Sequence, residues 1–408
     1  LDRTWKDDLR ELLQKRNSSN VRPDEERLRI RGSVPRPDNA KMSALQEERR
    51  EVLNMEREFD RYLNDLVMTR LKQTVEFGHE FSDKVLEEYT RELFGDELYF
   101  DSLIALAQQY ALSDTEVARP DGTCVFRTGF HLALFGPPGT GKTFATKDFI
   151  LGASDENIRA HGLPGKNRYC GGMTAARFIR IGEAYEDQKY NFIVTEFADW
   201  FKYRGMIEPL KIALEQGVIR YETKVETVGP YQFDSFMSVN YNTKPDGKSL
   251  KAAISDANFR AIEDRMVIRL HTMTKKRLDA LLDSQQRLAM GQVNMHLAQQ
   301  IRDHLTLVYA IQTEHPLVRG KFEPKQVMIS DKLFETFKEA INGMMQVFGC
   351  EALNVSARAQ SNAIKLATSL ALMSYFNEQA QIEIPDTAIR ISTKALVNEL
   401  WARHADTK

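Results

Sequence analysis

The run that most constrains this chain is Gly136-Pro137-Pro138-Gly139-Thr140-Gly141-Lys142-Thr143, entered from the apolar stretch His131-Leu-Ala-Leu-Phe135. It matches G-x-x-x-x-G-K-[ST], in which glycines let the backbone curl until several N–H groups face one anion. Such a loop belongs between a buried strand and a helix. The strand sets the loop at a sheet end, and the helix, starting near Phe144, turns the positive end of its dipole toward the phosphates. A parallel α/β sheet is therefore the expected core. Lys142 is expected to reach the β- and γ-phosphates of ATP or GTP, and Thr143 to offer its hydroxyl to Mg²⁺.

Two further apolar runs suit the same sheet. Phe192-Ile-Val-Thr195 leads into Glu196. A strand here is expected to end in an acidic pair, one member in the Mg²⁺ shell and one orienting water; this chain has Thr-Glu. In the preferred register Thr195 replaces the metal-shell carboxylate and Glu196 is the catalytic base. In the other, Glu196 takes the metal position, and the base is absent or comes from Asp199. Phe236-Met-Ser-Val239 leads to Asn240-Tyr-Asn242, where either amide could bond the γ-phosphate or the attacking water. Arg265 stands just before the apolar run Met266 to Leu270 and suits an arginine finger, a group that completes a neighbouring subunit's phosphate site.

Around this nucleotide site the 408 residues suggest two or three domains. Residues 1–40 read as a charged helix (1–16) followed by a polar arm, and 41–115 as a helical region. There Leu45, Val52, Leu53, Met55, Phe59, Leu63, Leu66 and Val67 recur at helical spacing between Ser43 and Gln73, and further helices are expected at 82–94 and 97–112. Residues 116–272 read as the nucleotide-binding core and 273–408 as an almost wholly helical lid, with Val327 to Ile329 and Ile382 to Ile384 extended.

The net charge of −2 supplies no global field toward nucleic acid or an anionic membrane, although local basic patches stay open. No apolar run approaches the roughly 20 residues of a membrane span. Cys124, Cys170 and Cys350 are scattered and odd in number, which fits reduced thiols in a cytoplasmic setting. His296 and His304 share a helix face without the cysteine or carboxylate partners of a metal site.

In order and spacing these segments resemble AAA+ ATPases of the MoxR and MCM branch. HLALFGPPGTGKT is similar to the MoxR first strand and P-loop. EPLKIALEQGVIRYETKVETVGPYQFDSFMSVNYNT resembles the segment carrying a helix, a β-hairpin and the sensor 1 asparagine, which makes Asn242 the better candidate. AIEDRMVIRL resembles the arginine-finger segment, with Arg265 in the matching place, and NVSARAQSNAIKLATSLALM resembles the lid helix opening with a sensor 2 arginine, here Arg358.

The resemblance implies an AAA+ core with a helical lid, ATP and Mg²⁺ held between subunits, and a homo-oligomer in the form of a hexameric ring or a helical filament. Three functions follow. The first is a DNA-acting, helicase-like motor that touches DNA through the hairpin at 218–228 with Arg220 and Lys224, aided by Lys202, Arg204, Lys244, Lys248 and Lys251. The second is a MoxR-like protein-remodelling ATPase whose amino-terminal helices hold a partner. The third is a slowly hydrolysing, nucleotide-gated scaffold, which Thr195 favours. The DNA motor is placed first.

Overall fold

A computed structural model describes residues 39–153, 158–202, 207–222, 227–243, 262–291, 295–349, 357–377 and 379–404. The expected helix and arm before residue 39 lie outside the described residues, as do Lys224, Arg204, Lys244, Lys248, Lys251 and Cys350, and the side chains of Asp199 and Lys202.

Four helices open the described chain: α1 (Asn39–Thr69), α2 (Leu71–Glu80), α3 (Asp83–Phe94) and α4 (Tyr99–Ala111). The long helix expected from Ser43 to Gln73 divides at Arg70, and its buried residues include Val52, Phe59, Leu63, Leu66 and Val67, while Leu53 is exposed. Ser82 caps α3 by accepting from the Val85 amide, and Gly95 ends it at φ +75°. Helix α4 is buried along its whole length. Such a helix belongs inside a fold, and its polar side chains need partners there. Gln108 finds them in the carbonyls of Phe130 and Met237, which fastens α4 to the sheet.

Strands β1 (Glu116–Ala118) and β2 (Cys124–Arg127) come next, then β3 (His131–Gly136), β4 (Asn167–Cys170) and β5 (Asn191–Val194). The hairpin β6 (Val218–Glu222) and β7 (Thr227–Gln232) precedes β8 (Phe236–Asn242) and β9 (Met266–Leu270), and the short strands β10 (Val327–Met328) and β11 (Ile382–Glu383) follow. The main sheet runs β4-β5-β8-β3-β9, and every pairing in it is parallel. The fold is α/β, as the apolar runs required.

Strands β1 and β2 join a separate sheet, in the order β11-β10-β1-β2. Two strands from the middle of the chain thus pair with two from its carboxy-terminal part. Strands of two to four residues carry little periodicity of their own, so tertiary pairing decides their partners.

Between the strands lie α5 (Ala175–Gly182) and α6 (Ile207–Leu214); after β9 come α7 (Lys275–Ala289), α8 (Met295–Gln312), α9 (Asp331–Phe348), α10 (Ala357–Ala371) and α11 (Asp386–His404). The sheet has two buried faces. On one, Leu132, Leu134, Ile193, Phe236 and Val267 join a hydrophobic cluster running from Phe59 in α1 to Leu400 in α11. On the other, Ala133, Phe192, Val194, Met237 and Ile268 pack with Phe178, Trp200 and Tyr231. The amino- and carboxy-terminal helices therefore share one core with the sheet. Asn362 of α10 donates to the carbonyls of Asp264 and Met266, and Glu399 of α11 accepts from the Ile268 amide, so both helices are bonded to edge strand β9. Among the described residues no helix is long and apolar enough to cross a membrane.

Candidate functional site

The glycine-rich loop leaves β3 at Gly136 and enters a helical segment that opens with a π-helical turn, Phe144–Asp148, and continues as Phe149–Leu151. Gly139 and Gly141 have φ of +79° and +87°, the left-handed conformation that residues with a Cβ rarely adopt. They produce the curl that the sequence pattern called for. Lys142 is buried, and its Nζ donates to the carbonyls of Gly136 (2.8 Å) and Pro137 (2.7 Å). Burial, reinforced by the positive charge of Arg277 and partly offset by Glu196, lowers its pKa to about 8. Thr143 is exposed beside it.

Three neighbouring strands bring their carboxy-terminal ends to this loop. A cleft of about 270 Å³ is lined by Pro138 to Phe144, by Thr195 and Glu196 after β5, and by Asn240 and Asn242 of β8. Ile193 belongs to the same hydrophobic cluster as Phe149 and Ile150 of the loop helix, while Phe192 and Val194 belong to the cluster on the opposite face. Thr195 forms a bend after the strand, its hydroxyl donates to the Gly171 carbonyl at 3.4 Å, and Glu196 follows it into the same cleft. Glu196 is exposed, and its amide donates to the Gly171 carbonyl at 2.9 Å.

The two asparagines separate clearly. Asn240 is buried and exchanges hydrogen bonds with Thr146, whose hydroxyl also reaches the Lys142 carbonyl. Its amide is thus tied up in holding the loop helix to β8. Asn242 lies opposite Gly136 in the ladder and is exposed to the cleft.

Arg265 and Arg358 lie elsewhere. Arg265 immediately precedes Met266, which pairs with His131, the first residue of β3. The loop begins at the last, so the two are separated by about five residue steps, roughly 16 Å of strand. Arg265 is mostly buried and donates to Glu215, after α6, through Nε (3.0 Å) and Nη2 (2.7 Å). Arg358, near the start of α10, donates to the same Glu215 oxygen (2.8 Å) and lies 3.9 Å from an Asp264 oxygen. The expected lid sensor thus sits at the finger's end of the sheet, away from its own loop.

An arginine at the loop is one that sequence reading passed over. Arg277, in the first turn of α7, donates to the Thr140 carbonyl through Nε (3.1 Å) and Nη2 (2.8 Å), and to Asp101 of α4 (3.0 Å). His271 Nε2 is 2.9 Å and Arg269 Nε 3.1 Å from the same carboxyl group. Burial works to raise the pKa of Asp101, but His271, Arg269 and Arg277 around it hold it well below the usual range. One signal was available: Asp101 is a lone carboxylate in an otherwise apolar and amide-bearing helix, Tyr99–Ala111. Beside this network a second cleft, of about 320 Å³, is lined by Gly139, Gly141, Phe144, Phe94, Leu98, Leu278, Leu281 and Leu288.

The hairpin is present, and β7 continues to Gln232. Arg220 is exposed and pairs with Glu222 on its own strand. Among the described residues no group of three or more His, Cys, Asp or Glu side chains could hold a metal ion by itself. A Mg²⁺ shell built largely from phosphate oxygens and water needs only one or two protein ligands, and Thr143 with Glu196 or Thr195 fits that donor set. His304 is buried and hydrogen-bonded to Tyr110 at 2.8 Å. Cys124 and Cys170 are free thiols.

No protein-family model matches the chain, and no curated protein matches it.

Proposed function

We propose that this chain is an ATPase of the AAA+ type, in the MoxR and MCM branch, acting as a ring or helical homo-oligomer. The observation carrying the reading is convergence: Lys142, Thr143, Thr195, Glu196 and Asn242 meet in one cleft at the ends of three adjacent parallel strands. Such a cleft suits the phosphates of a nucleotide, with backbone N–H groups and Lys142 opposing their charge. Mg²⁺ would be held by Thr143 with Thr195, or with Glu196 in the other register, and would neutralise charge on the β- and γ-phosphates. Glu196 orients the attacking water, and Asn242 bonds that water or the γ-phosphate. The adjoining apolar cleft, with Phe94, Phe144 and Leu281 on its walls, offers the base an unpolar seat.

The oligomer follows from Arg265. At roughly 16 Å of strand from its own loop it serves hydrolysis only by reaching another subunit's nucleotide. Arg358, on the same carboxylate, shares that role. Of the carboxy-terminal helices, α7 is the one at the loop, through Arg277, Leu278, Leu281 and Leu288, and would cover the nucleotide as the lid.

For the substrate, the β6–β7 hairpin carries the reading of a DNA-acting, helicase-like motor. One observation favours protein remodelling as the second reading: Arg220 is already paired with Glu222, which weakens its call on a phosphate. ATP turnover with and without single-stranded and forked DNA, at low and moderate salt, separates them. The DNA reading expects binding that falls steeply with salt and a rise in turnover. Unchanged turnover and no binding at low salt leave protein remodelling in its place.

A further inference from the structure

A P-loop works only if its peptide N–H groups point inward, and because the peptide is planar and trans, the carbonyl of each such unit then points outward. An outward carbonyl in a buried setting needs a donor. At the unit joining Thr140 to Gly141 that donor is Arg277, whose Nε and Nη2 both bond the Thr140 oxygen, at 3.1 and 2.8 Å. Gly141 is one of the two loop glycines at positive φ, so this unit lies where the chain curls.

The guanidinium is itself fixed. Nη2 reaches Asp101 at 3.0 Å and the His271 ring nitrogen Nδ1 at 3.1 Å, while Nη1 reaches the Glu97 carbonyl at 3.4 Å. Asp101 and Glu97 belong to the amino-terminal helical region, and Arg277 to the helix after the sheet. Three distant parts of the chain therefore meet at one loop peptide.

We propose that Arg277 and Asp101 are positioning residues for the phosphate loop. Arg277 holds the Thr140–Gly141 peptide with its N–H turned toward the phosphate, and Asp101 holds Arg277. The amino-terminal helices are thereby part of the nucleotide site. The effect on nucleotide rests on the ATPase reading above; the effect on the loop does not.

The test uses the full chain and three variants, Arg277→Ala, Arg277→Lys and Asp101→Asn, with two readouts: hydrogen exchange across 136–146 without ligand, and affinity for ATP and ADP. In Arg277→Ala the loop exchanges faster by tenfold or more while strands β5 and β8 keep their rates. ATP and ADP affinity falls about 10- to 100-fold, the range for losing a buried charged hydrogen bond. Millimolar guanidinium, entering the cleft that Arg277 lines, restores part of both. Arg277→Lys keeps the charge without the fork and stays impaired; Asp101→Asn shows a smaller change of the same kind. If Arg277→Ala does not fold, these two variants carry the test. Loop exchange and affinity within twofold of the parent in a folded variant overturn the tether. Altered loop exchange in a parent that binds no nucleotide leaves the tether standing and removes the ATPase reading.

Discussion

Arg265 and Arg358, 93 positions apart in sequence, bond the same oxygen of Glu215, at 2.7 and 2.8 Å. The pairing sets both arginines at the end of the sheet opposite their own phosphate loop. It gives the proposed oligomer its reason, since two candidate phosphate-binding cations share one position and neither serves the loop of its own chain.

Subunit mixing tests this directly. Arg265→Ala alone is expected to lose turnover by about 10³-fold or more, the lower range for an arginine finger. Mixed with Lys142→Ala, which keeps its arginines but lacks a working loop, it should regain part of the activity, because each supplies what the other lacks. Arg358→Ala should behave alike. Two inactive proteins that stay inactive when mixed, under conditions where they assemble, would count against action in trans.

Thr195 and Glu196 divide the work at the end of β5. Glu196→Gln should keep ATP binding and lose turnover by roughly 100-fold or more, the usual range for a positioned acid–base group. Thr195→Asp places a carboxylate next to Glu196 in the cleft and should tighten Mg²⁺-dependent ATP binding and raise turnover. If Thr195→Asp slows turnover while Glu196→Gln is silent, the register is wrong.

The asparagines of β8 should separate stability from activity. Asn240→Ala leaves Thr146 without its amide partner in a buried setting and should cost about 1–3 kcal/mol in urea unfolding. Asn242→Ala, at an exposed strand tip, should unfold like the parent and lose turnover. A catalytic loss in Asn240→Ala alone would reverse the assignment.

Glu48 gives a pH signature. Burial works to raise its pKa, but hydrogen bonds from Arg168 and Tyr185 and the charges of Arg168 and Arg177 outweigh burial and hold it below the ordinary value. A carboxylate lowered on folding adds stability that is fully present above its unfolded pKa, about 4.3, and is lost as pH falls through the folded value. Glu48→Gln should therefore be less stable than the parent at pH 7, and the gap should shrink below about pH 4. A gap that stays constant from pH 7 to pH 3 would show that this ion cluster does not contribute to the acid limb.

Much of this was legible in sequence where one residue's chemistry is local. The loop needs positive φ at Gly139 and Gly141 whatever surrounds it, and His131 to Phe135 is apolar enough for a buried strand in any α/β context. Helix α3 lies where a helix was expected at 82–94. What sequence could not give is where distant segments meet. Strands β1, β10 and β11 are two or three residues long, so their sheet exists only through one another. Asn240 and Asn242 have the same residue type on the same strand face, and Thr146 tells them apart. Asp101 and Arg277 lie far apart in sequence; the lone carboxylate of α4 is visible there, but its partner is not, and the tether needs both, with Thr140 between.

Equilibrium ATP binding in the presence of Mg²⁺, compared between the parent chain and Lys142→Ala, tests the central claim most directly. Saturable binding by the parent, weakened at least tenfold when Lys142 is replaced and with the fold intact by circular dichroism, is the predicted result. A parent that binds no ATP, or a Lys142→Ala variant that binds it equally well, would contradict the assignment of residues 136–143 as the nucleotide site.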